Sequence, residues 1–500
     1  MHKVGVCFLL VFFRARLKRK LRAVFSPATD AIDNFRAGYR SPLTSPKGRS
    51  GAVGQRIRRL QPQNPAQIII AGFAATILVG TFLLMTPAAR VDDSPATFLD
   101  ALFTATSATC VTGLITVDTA TYWTPFGHAV IIALIQIGGF GVMSFGALLG
   151  LLITRKLGLR SRLITAQETK AEGLGETGRV IRNVLKISLV TEAAIAVVLS
   201  LRFALGYGYP SHQAVWYGVF HSISAFNNAG FALYTDNVMS FVGDDWIILP
   251  LSAGVIIGGL GFPVIMELRR RYRRPKSLSI HSKLVLLGTV VLLVGGTIFI
   301  TVLEWSNAKT LGPLSDADKV LAGFFQSTVT RTAGFNSIDV GQMHPVSWLG
   351  MDILMFIGGG PAGTAGGLKI TTFGVLFFIM ITEIRGGTAV NIFGKRISRS
   401  LHREAITIVL LSLGLVVGST MIIMLMSDLG QERILFEVVS AFATVGMSTG
   451  ITAALPPAAQ YILIVLMFAG RVGPVALASA LALKPRQPLF EYPKERPLIG

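Results

Sequence analysis

Ser107-Ala-Thr-Cys-Val-Thr-Gly113 is one of four copies of a short theme in this chain. The others are Ser224-Ala-Phe-Asn-Asn-Ala-Gly230, Thr328-Val-Thr-Arg-Thr-Ala-Gly334 and Ser440-Ala-Phe-Ala-Thr-Val-Gly446. In every copy a hydroxyl residue stands six positions before the glycine, and a bulky apolar residue follows it: Leu114, Phe231, Phe335 or Met447. The glycines at 113, 230, 334 and 446 lie 117, 104 and 112 residues apart, the even spacing of a fourfold internal repeat. Four such loops around one axis can present a ring of backbone carbonyl oxygens to a bare cation.

Working outward, each theme closes a short apolar segment set between two long apolar runs. The long runs of the first unit are Ala66–Met85 and Phe126–Ile153, with Thr97–Cys110 between them. The second has Val184–Leu205, Ala214–Phe226 and Trp246–Met266. The third has Leu284–Leu303, Lys319–Thr330 and Trp348–Thr382; the fourth has Ala405–Met426, Ile434–Ala443 and Tyr461–Leu483. Crossing a bilayer takes about 20 apolar residues, so the short segments are expected to enter and return as pore helices. Non-helical backbone at that depth is tolerated only where it lines a polar cavity. The expected fold class is an all-α polytopic membrane protein with eight transmembrane spans. The expected division is a basic tail over 1–62, repeats over 63–154, 155–266, 267–383 and 384–484, and a short tail over 485–500.

Composition agrees. Of 500 residues, 51% are hydrophobic and only 14% charged, and the mean hydropathy is +0.60. Soluble domains carry roughly 25% charged residues. The net charge of +20 sits in alternate loops. One holds Arg155, Lys156, Arg160, Arg162 and Lys170, another Arg269–Arg271, Arg273, Arg274 and Lys276, a third Arg385, Lys395, Arg396, Arg399 and Arg403. The opposite loops, 114–123, 232–246 and 337–347, have no lysine or arginine. The positive-inside rule puts the basic loops and both termini in the cytosol of a multi-pass protein of the cytoplasmic (inner) membrane. Part of the charge is available to anionic lipids. No basic stripe interleaved with aromatics points to nucleic acid. Near the start, Val4–Phe13 is apolar and is followed by six cations from Arg14 to Arg22. A signal peptide has the reverse order, so a basic cytosolic tail is expected. Cys7 and Cys110 make neither a disulfide framework nor a metal pattern.

The residues expected to carry potassium are the last three of each theme. They are Val111, Thr112 and Gly113; Asn228, Ala229 and Gly230; Thr332, Ala333 and Gly334; Thr444, Val445 and Gly446. Glycine allows the loop conformations that a β-carbon hinders. The carboxyl ends of the pore helices add partial negative charge toward the axis. No ring of Asp or Glu adjoins the loops, so the only metal sites expected are potassium sites of backbone carbonyls. Asn227 and Arg331 are expected to brace the filter, Arg331 with Glu437 as partner. His221 is expected to pack, and Glu192, Glu267 and Glu383 to be solvated or paired near span ends.

The last long run of the third unit contains Gly358-Gly-Gly-Pro-Ala-Gly-Thr-Ala-Gly-Gly367. Each glycine costs a helix about 1 kcal/mol and each proline about 3, so two half-helices joined by a loop are expected. Lys369 follows glycines, but Gly-Gly-Leu-Lys-Ile-Thr is not a phosphate-binding loop, and no strand precedes it. Arg471 lies inside the last apolar run, where a charge normally faces a cavity or a partner. Gly358, Gly359, Gly360, Gly363, Gly366 and Gly367 are expected to form a gate with Arg471, with Lys369 beside the same vestibule.

These residues resemble the Trk/Ktr/HKT superfamily of cation transporters, built as four M1-P-M2 repeats around a pseudo-fourfold pore. His221–Phe231, Thr330–Asn336 and Gly470-Arg-Val-Gly-Pro474 look most like the Ktr membrane subunit (KtrB-like). The likeness covers roughly 65–484, and Gly113 departs from sodium-transporting plant relatives with serine in the first filter position. It implies potassium uptake by channel-like conduction, with the intramembrane loop obstructing the pore below the filter. It implies a homodimer on a cytosolic ring of nucleotide-binding (KtrA-like) regulatory subunits, with Na+ as a possible activator and no cofactor bound by this chain. The alternative in the superfamily is a Trk-type cation symporter or a sodium-permeable member. A carrier is expected to show inverted repeats and paired midplane carboxylates, and neither is present. An enzyme is not expected: there is no His-Glu-x-x-His, and the seven histidines do not cluster. A non-conducting scaffold would not need four glycine loops.

Overall fold

The computed structural model describes residues 65–92, 94–156 and 173–473. The basic tail 1–62, Arg160, Arg162, Lys170, Pro474, the last stretch of the run expected to Leu483 and the tail 485–500 lie outside the described residues. The architecture is helical, and the only strands among the described residues form one small hairpin.

Helices α1 (Pro65–Leu84), α2 (Phe98–Thr109), α3 (Thr119–Tyr122) and α4 (Pro125–Lys156) come first. Then follow α5 (Gly173–Gly206), α6 (Ser211–Phe226), α7 (Asp245–Leu260), α8 (Phe262–Arg271) and α9 (Ile280–Glu304). Next are α10 (Asp316–Thr330), α11 (Pro345–Phe356) and α12 (Ile370–Ile384). The hairpin β1 (Asn391–Ile392) and β2 (Lys395–Arg396) precedes α13 (Arg399–Met424), α14 (Gln431–Ala443) and α15 (Pro457–Val472).

Local chemistry sets these starts. Thr97, Asp244, Ser279 and Ser315 each cap the following helix with a side-chain oxygen on a first-turn N–H. Proline opens α4, α11 and α15, where its missing N–H would have no helical partner. The expected single run Trp246–Met266 is corrected: it breaks at Gly261, and α8 turns 96° away from α7. Gly261 has φ +90°, a conformation open to glycine, and Pro263 follows in the first turn of α8. The break expected in the third unit is found between α11 and α12.

The core belongs to the short helices. Phe103 of α2, Phe325 of α10, and Phe436 and Phe442 of α14 are buried in one cluster with Leu114, Phe335 and Met447, the apolar residues after three of the glycines. Phe220 and Phe231 join a second cluster with Trp123. The long helices instead turn apolar side chains outward: Leu189, Val190 and Val197 on α5, Val290, Val294 and Ile298 on α9, Leu410 and Met421 on α13. An inside built from short helices and an apolar outer belt suits a hydrocarbon surrounding. Among the described residues, three helices are individually long and apolar enough to cross a membrane: Arg179–Gly206, Ile280–Glu304 and Arg399–Met424. The bent pair α7–α8 makes a fourth if it is one span, and five shorter apolar helices stand beside them.

Candidate functional site

The four short helices α2, α6, α10 and α14 each end at a glycine loop, and the loops close on one another. A β-carbon added to Gly113 would strike the Ala229 carbonyl oxygen; one on Gly230 would strike that of Ala333. One on Gly334 would strike that of Val445, and one on Gly446 that of Thr112. The contacts run from first loop to second, third, fourth and back to the first, so four loops distant in sequence stand as one ring. All four glycines have positive φ: +98°, +71°, +63° and +93° in chain order. Two positions earlier, Val111, Asn228 and Thr444 also have positive φ, which β-carbons disfavour, so the ring holds strained backbone. Thr332 of the third loop is not among the residues in that conformation.

In three of the four themes the hydroxyl residue six positions upstream does the holding. Gly113 N–H donates to Ser107 Oγ at 3.0 Å, and Gly446 N–H to Ser440 Oγ at 3.1 Å. Ser224 Oγ donates to the Phe231 carbonyl at 2.8 Å, just past the second glycine. Thr328 instead bonds back to Phe324 within its own helix.

A second recurring brace was not visible in the sequence. His221 and Glu437 each lie three positions before the serine of their theme. His221 Nε2 accepts Leu233 N–H at 3.3 Å, and Glu437 Oε1 accepts Thr449 N–H at 3.0 Å. Both N–H groups are three residues past their glycine. His221 Nδ1 donates to the Tyr217 carbonyl at 2.7 Å, so His221 both packs and ties down a loop. Glu437 also takes hydrogen bonds from Ser448 and from Thr452 Oγ1, the latter at 3.0 Å. The expected pairing of Arg331 with Glu437 is therefore corrected. Arg331 is buried and, among the described residues, its hydrogen bonds reach only Thr289, at 3.5 Å to both its carbonyl and its hydroxyl.

Asn227 Nδ2 donates to Gln136 Oε1 at 2.8 Å and to Glu192 Oε1 at 3.3 Å. Ser188 Oγ and Gln136 Nε2 also donate to Glu192. Glu192 is 4% exposed, a buried hub linking α4, α5 and the second loop rather than a solvated span end. Glu267 is paired with Arg271 at 3.3 Å, and Glu383 is exposed. The Asn228 amide lies within 2.6 Å of Thr332 Oγ1 and 3.0 Å of Thr364 Oγ1, tying the second loop to the third and to the segment between α11 and α12.

The segment between α11 and α12 is held by backbone. Gly358 N–H donates to Leu368 O at 2.8 Å, and Ile370 N–H to Gly359 O at 3.1 Å. Three more bonds join it to the α7–α8 elbow: Gly360 N–H to Gly259 O (2.8 Å), Thr364 N–H to Gly258 O (3.1 Å) and Phe262 N–H to Ala362 O (3.1 Å). The glycines permit the close approach: β-carbons on Gly360 and Gly363 would meet Leu260 O and Gly258 O, and one on Gly366 would meet the Thr444 hydroxyl. Gly367 has φ +62° and lies against Ala443. Arg471, 5% exposed at the end of α15, donates through one terminal nitrogen to the Thr364 carbonyl and through the other to Gly138 O at 3.3 Å. The Lys369 ammonium donates to the Ala365 and Gly366 carbonyls of the same segment. On one side the ring opens into a cavity of about 350 Å³, lined by Gly113, Gly334 and Gly446 and by Asp118, Asp236 and Asp339, so carboxylates do adjoin the loops, contrary to the expectation from sequence.

Residues 54–492 match the family described as TrkH, cation transport protein. The chain is 40% identical over 436 residues to Ktr system potassium uptake protein B of Bacillus subtilis (strain 168), covering 87% of this chain and 97% of that one. It is 39% identical over 435 residues to the protein of the same description from Vibrio alginolyticus, covering 87% and 94%. It is 36% identical over 443 residues to the potassium/sodium uptake protein NtpJ of Enterococcus hirae, covering 87% and 97%. The crystal structure of the potassium transporter TrkH from Vibrio parahaemolyticus shares the fold, with a TM-score of 0.67 at 16% identity over 85% of this chain and 86% of that chain. With the family matched over most of its length, this chain belongs to the TrkH family of cation transport proteins.

Proposed function

We propose that this chain is the membrane subunit of a potassium-uptake system and conducts K+ through the glycine-loop ring. The closed cycle of contacts among the four loops carries this reading. A ring of carbonyls held at fixed spacing replaces the water of a dehydrated cation without reorganising. The buried hydroxyls of Thr112 and Thr444 have no protein partner among the described residues and add oxygen at the same level. The relatives named as Ktr system potassium uptake proteins support potassium as the ion.

In this reading the chain has eight spans in four M1-P-M2 repeats, in the cytoplasmic membrane with both termini in the cytosol. The cavity with three aspartates is the extracellular mouth, where like charge concentrates cations. The segment 358–367, clipped by Arg471, is the gate. A buried guanidinium beside the path opposes a cation, and its bond to Thr364 holds the segment in place. The chain works as a homodimer on a cytosolic nucleotide-binding (KtrA-like) ring, with Na+ as an activator; the relatives named as proteins of a Ktr system support partnering with other components of such a system. A second reading, a sodium-permeable member, is favoured by the potassium/sodium uptake relative at 36% identity.

The deciding experiment is ion flux into proteoliposomes holding the chain alone, with and without sodium, beside Gly334→Ser. Potassium-selective flux that weakens in the variant upholds the filter. Flux that is equal for sodium and potassium favours the second reading. No flux with or without the regulatory ring, from folded protein, rejects both.

A further inference from the structure

Away from the ring, the turn between α12 and α13 builds a second cavity. Gly386, with φ +67°, reverses the chain after α12, donating to Glu383 O at 2.9 Å, and Gly387 donates to Thr382 O at 2.9 Å. The hairpin follows, pairing Asn391 with Arg396 and Ile392 with Lys395. Its two turn residues, Phe393 and Gly394, both have positive φ, +49° and +76°, as the tightest hairpin turn requires. Val390 and Ile392 are buried with Leu284, and Val375, Phe378 and Ile397 pack against them. An apolar cluster thus fixes the wall from behind.

In front of that wall lies a cavity of about 520 Å³. Arg396, Arg399, His402 and Arg403 line it, with Glu383 as the single carboxylate. Among the described residues, none of these arginines has an ion-pair partner. His402 Nε2 is buried and has no hydrogen-bond partner among the described residues. The 26-residue helix α13 begins here, and the Ser398 side chain does not cap it. The first turn of α13, where Leu401 N–H turns back to Ser398 O at 3.1 Å, therefore brings N–H groups and the positive end of a helix dipole beside three guanidinium groups.

We propose that this cavity binds a phosphate group, carried by an anionic phospholipid or by a small soluble phosphate. Guanidinium forks bind phosphate oxygens in pairs, and backbone N–H groups at a helix start complete the shell. The volume is that of an ordinary small-ligand site. The outward residues Phe377, Met380 and Ile384 of α12 form an apolar track ending at the cavity, suited to an acyl chain. Such an anion bridges the end of α12 to the first turn of α13. The other end of α12 is one residue beyond Lys369, so the anion also restrains the helix that carries the segment 358–367. This coupling rests on the gate reading above; the binding itself does not.

The test uses the full chain, purified and stripped of lipid, with phosphatidylglycerol, phosphatidylcholine and inorganic pyrophosphate as probes, read by native mass spectrometry and titration calorimetry. Arg399→Gln/Arg403→Gln is compared with Arg269→Gln/Arg270→Gln, which removes equal charge from α8. Phosphatidylglycerol or pyrophosphate should bind the wild type, weaken by at least roughly tenfold in the cavity variant, and be unchanged in the α8 variant. Binding of the lipid alone assigns a headgroup site; binding of pyrophosphate as well assigns a general phosphate site. His402→Gln, a milder change, should weaken binding by about threefold with the fold intact. Equal loss in both double variants, or no anion bound by the wild type, overturns the proposal. Flux with and without phosphatidylglycerol then tests the coupling alone: binding without any effect on flux removes the coupling and leaves the site.

Discussion

At the scale of single residues, the ring explains why four glycines recur at one place in each theme. Each sits where a β-carbon would enter the next loop's carbonyl, and each has a positive φ. Serine at Gly113, Gly230, Gly334 or Gly446 should cut potassium flux by roughly tenfold or more, because crowding and strain of about 1–3 kcal/mol fall on the coordinating carbonyls. Gly418→Ser is the control: on α13, a β-carbon there meets nothing within 4 Å. Flux of a potassium tracer in proteoliposomes checks both, and full flux in any ring variant would sink the filter. Glu437 gives a second prediction. Glu437→Ala strips the acceptor from Thr449 N–H, Ser448 and Thr452, each loss worth about 1–3 kcal/mol for a buried donor. Thermal unfolding in detergent should fall clearly for Glu437→Ala and less for Glu437→Gln. The theme itself was legible because its residues are neighbours in sequence. The Glu192 hub was not, since Gln136 sits on α4, Glu192 on α5 and Asn227 just past α6, and only the fold brings them together.

At the scale of elements, two breaks in long helices face each other and share one set of backbone bonds. The break between α11 and α12 was legible, because ten residues hold six glycines and a proline. The elbow at Gly261 was missed, although Gly258-Gly-Leu-Gly-Phe-Pro263 carries the same signal in weaker form. Helical spacing alone continued the run to Met266. The elbow makes the proposed gate a joint of two elements, held by three bonds between them and by Arg471 on Thr364. Arg471→Ala removes a charged donor worth about 1.5–3 kcal/mol, so basal flux without regulatory partners should rise by about tenfold or more. Gly261→Ala puts a β-carbon against Pro361 O at φ +90°, loosening the joint from the other side. It too should raise basal flux, with the ring's ion selectivity retained. Unchanged flux in both variants, at normal expression, would mean that this joint does not control conduction.

At the scale of the whole molecule, the cycle of contacts imposes a consequence that no single repeat has. Each loop leans on the next in the same rotational sense, so the quadrants form one closed unit although their sequences differ. In the proposed reading the ring faces one aqueous side through the cavity with Asp118, Asp236 and Asp339, and the basic segment from Arg269 to Lys276 lies on the other. Sidedness is measurable. In a background with Cys7→Ser and Cys110→Ala, Asp236→Cys should react with a membrane-impermeant maleimide from outside intact cells. Arg273→Cys, on an exposed segment just past α8, should react only in inverted vesicles. The charge asymmetry of the loops fixes this direction, because basic segments are retained in the cytosol during insertion. If Arg273→Cys were labelled in intact cells, the aspartate-lined mouth would face the cytosol. The same carboxylates would then concentrate cations for exit, and the chain could not serve uptake in the way its ring and gate are arranged.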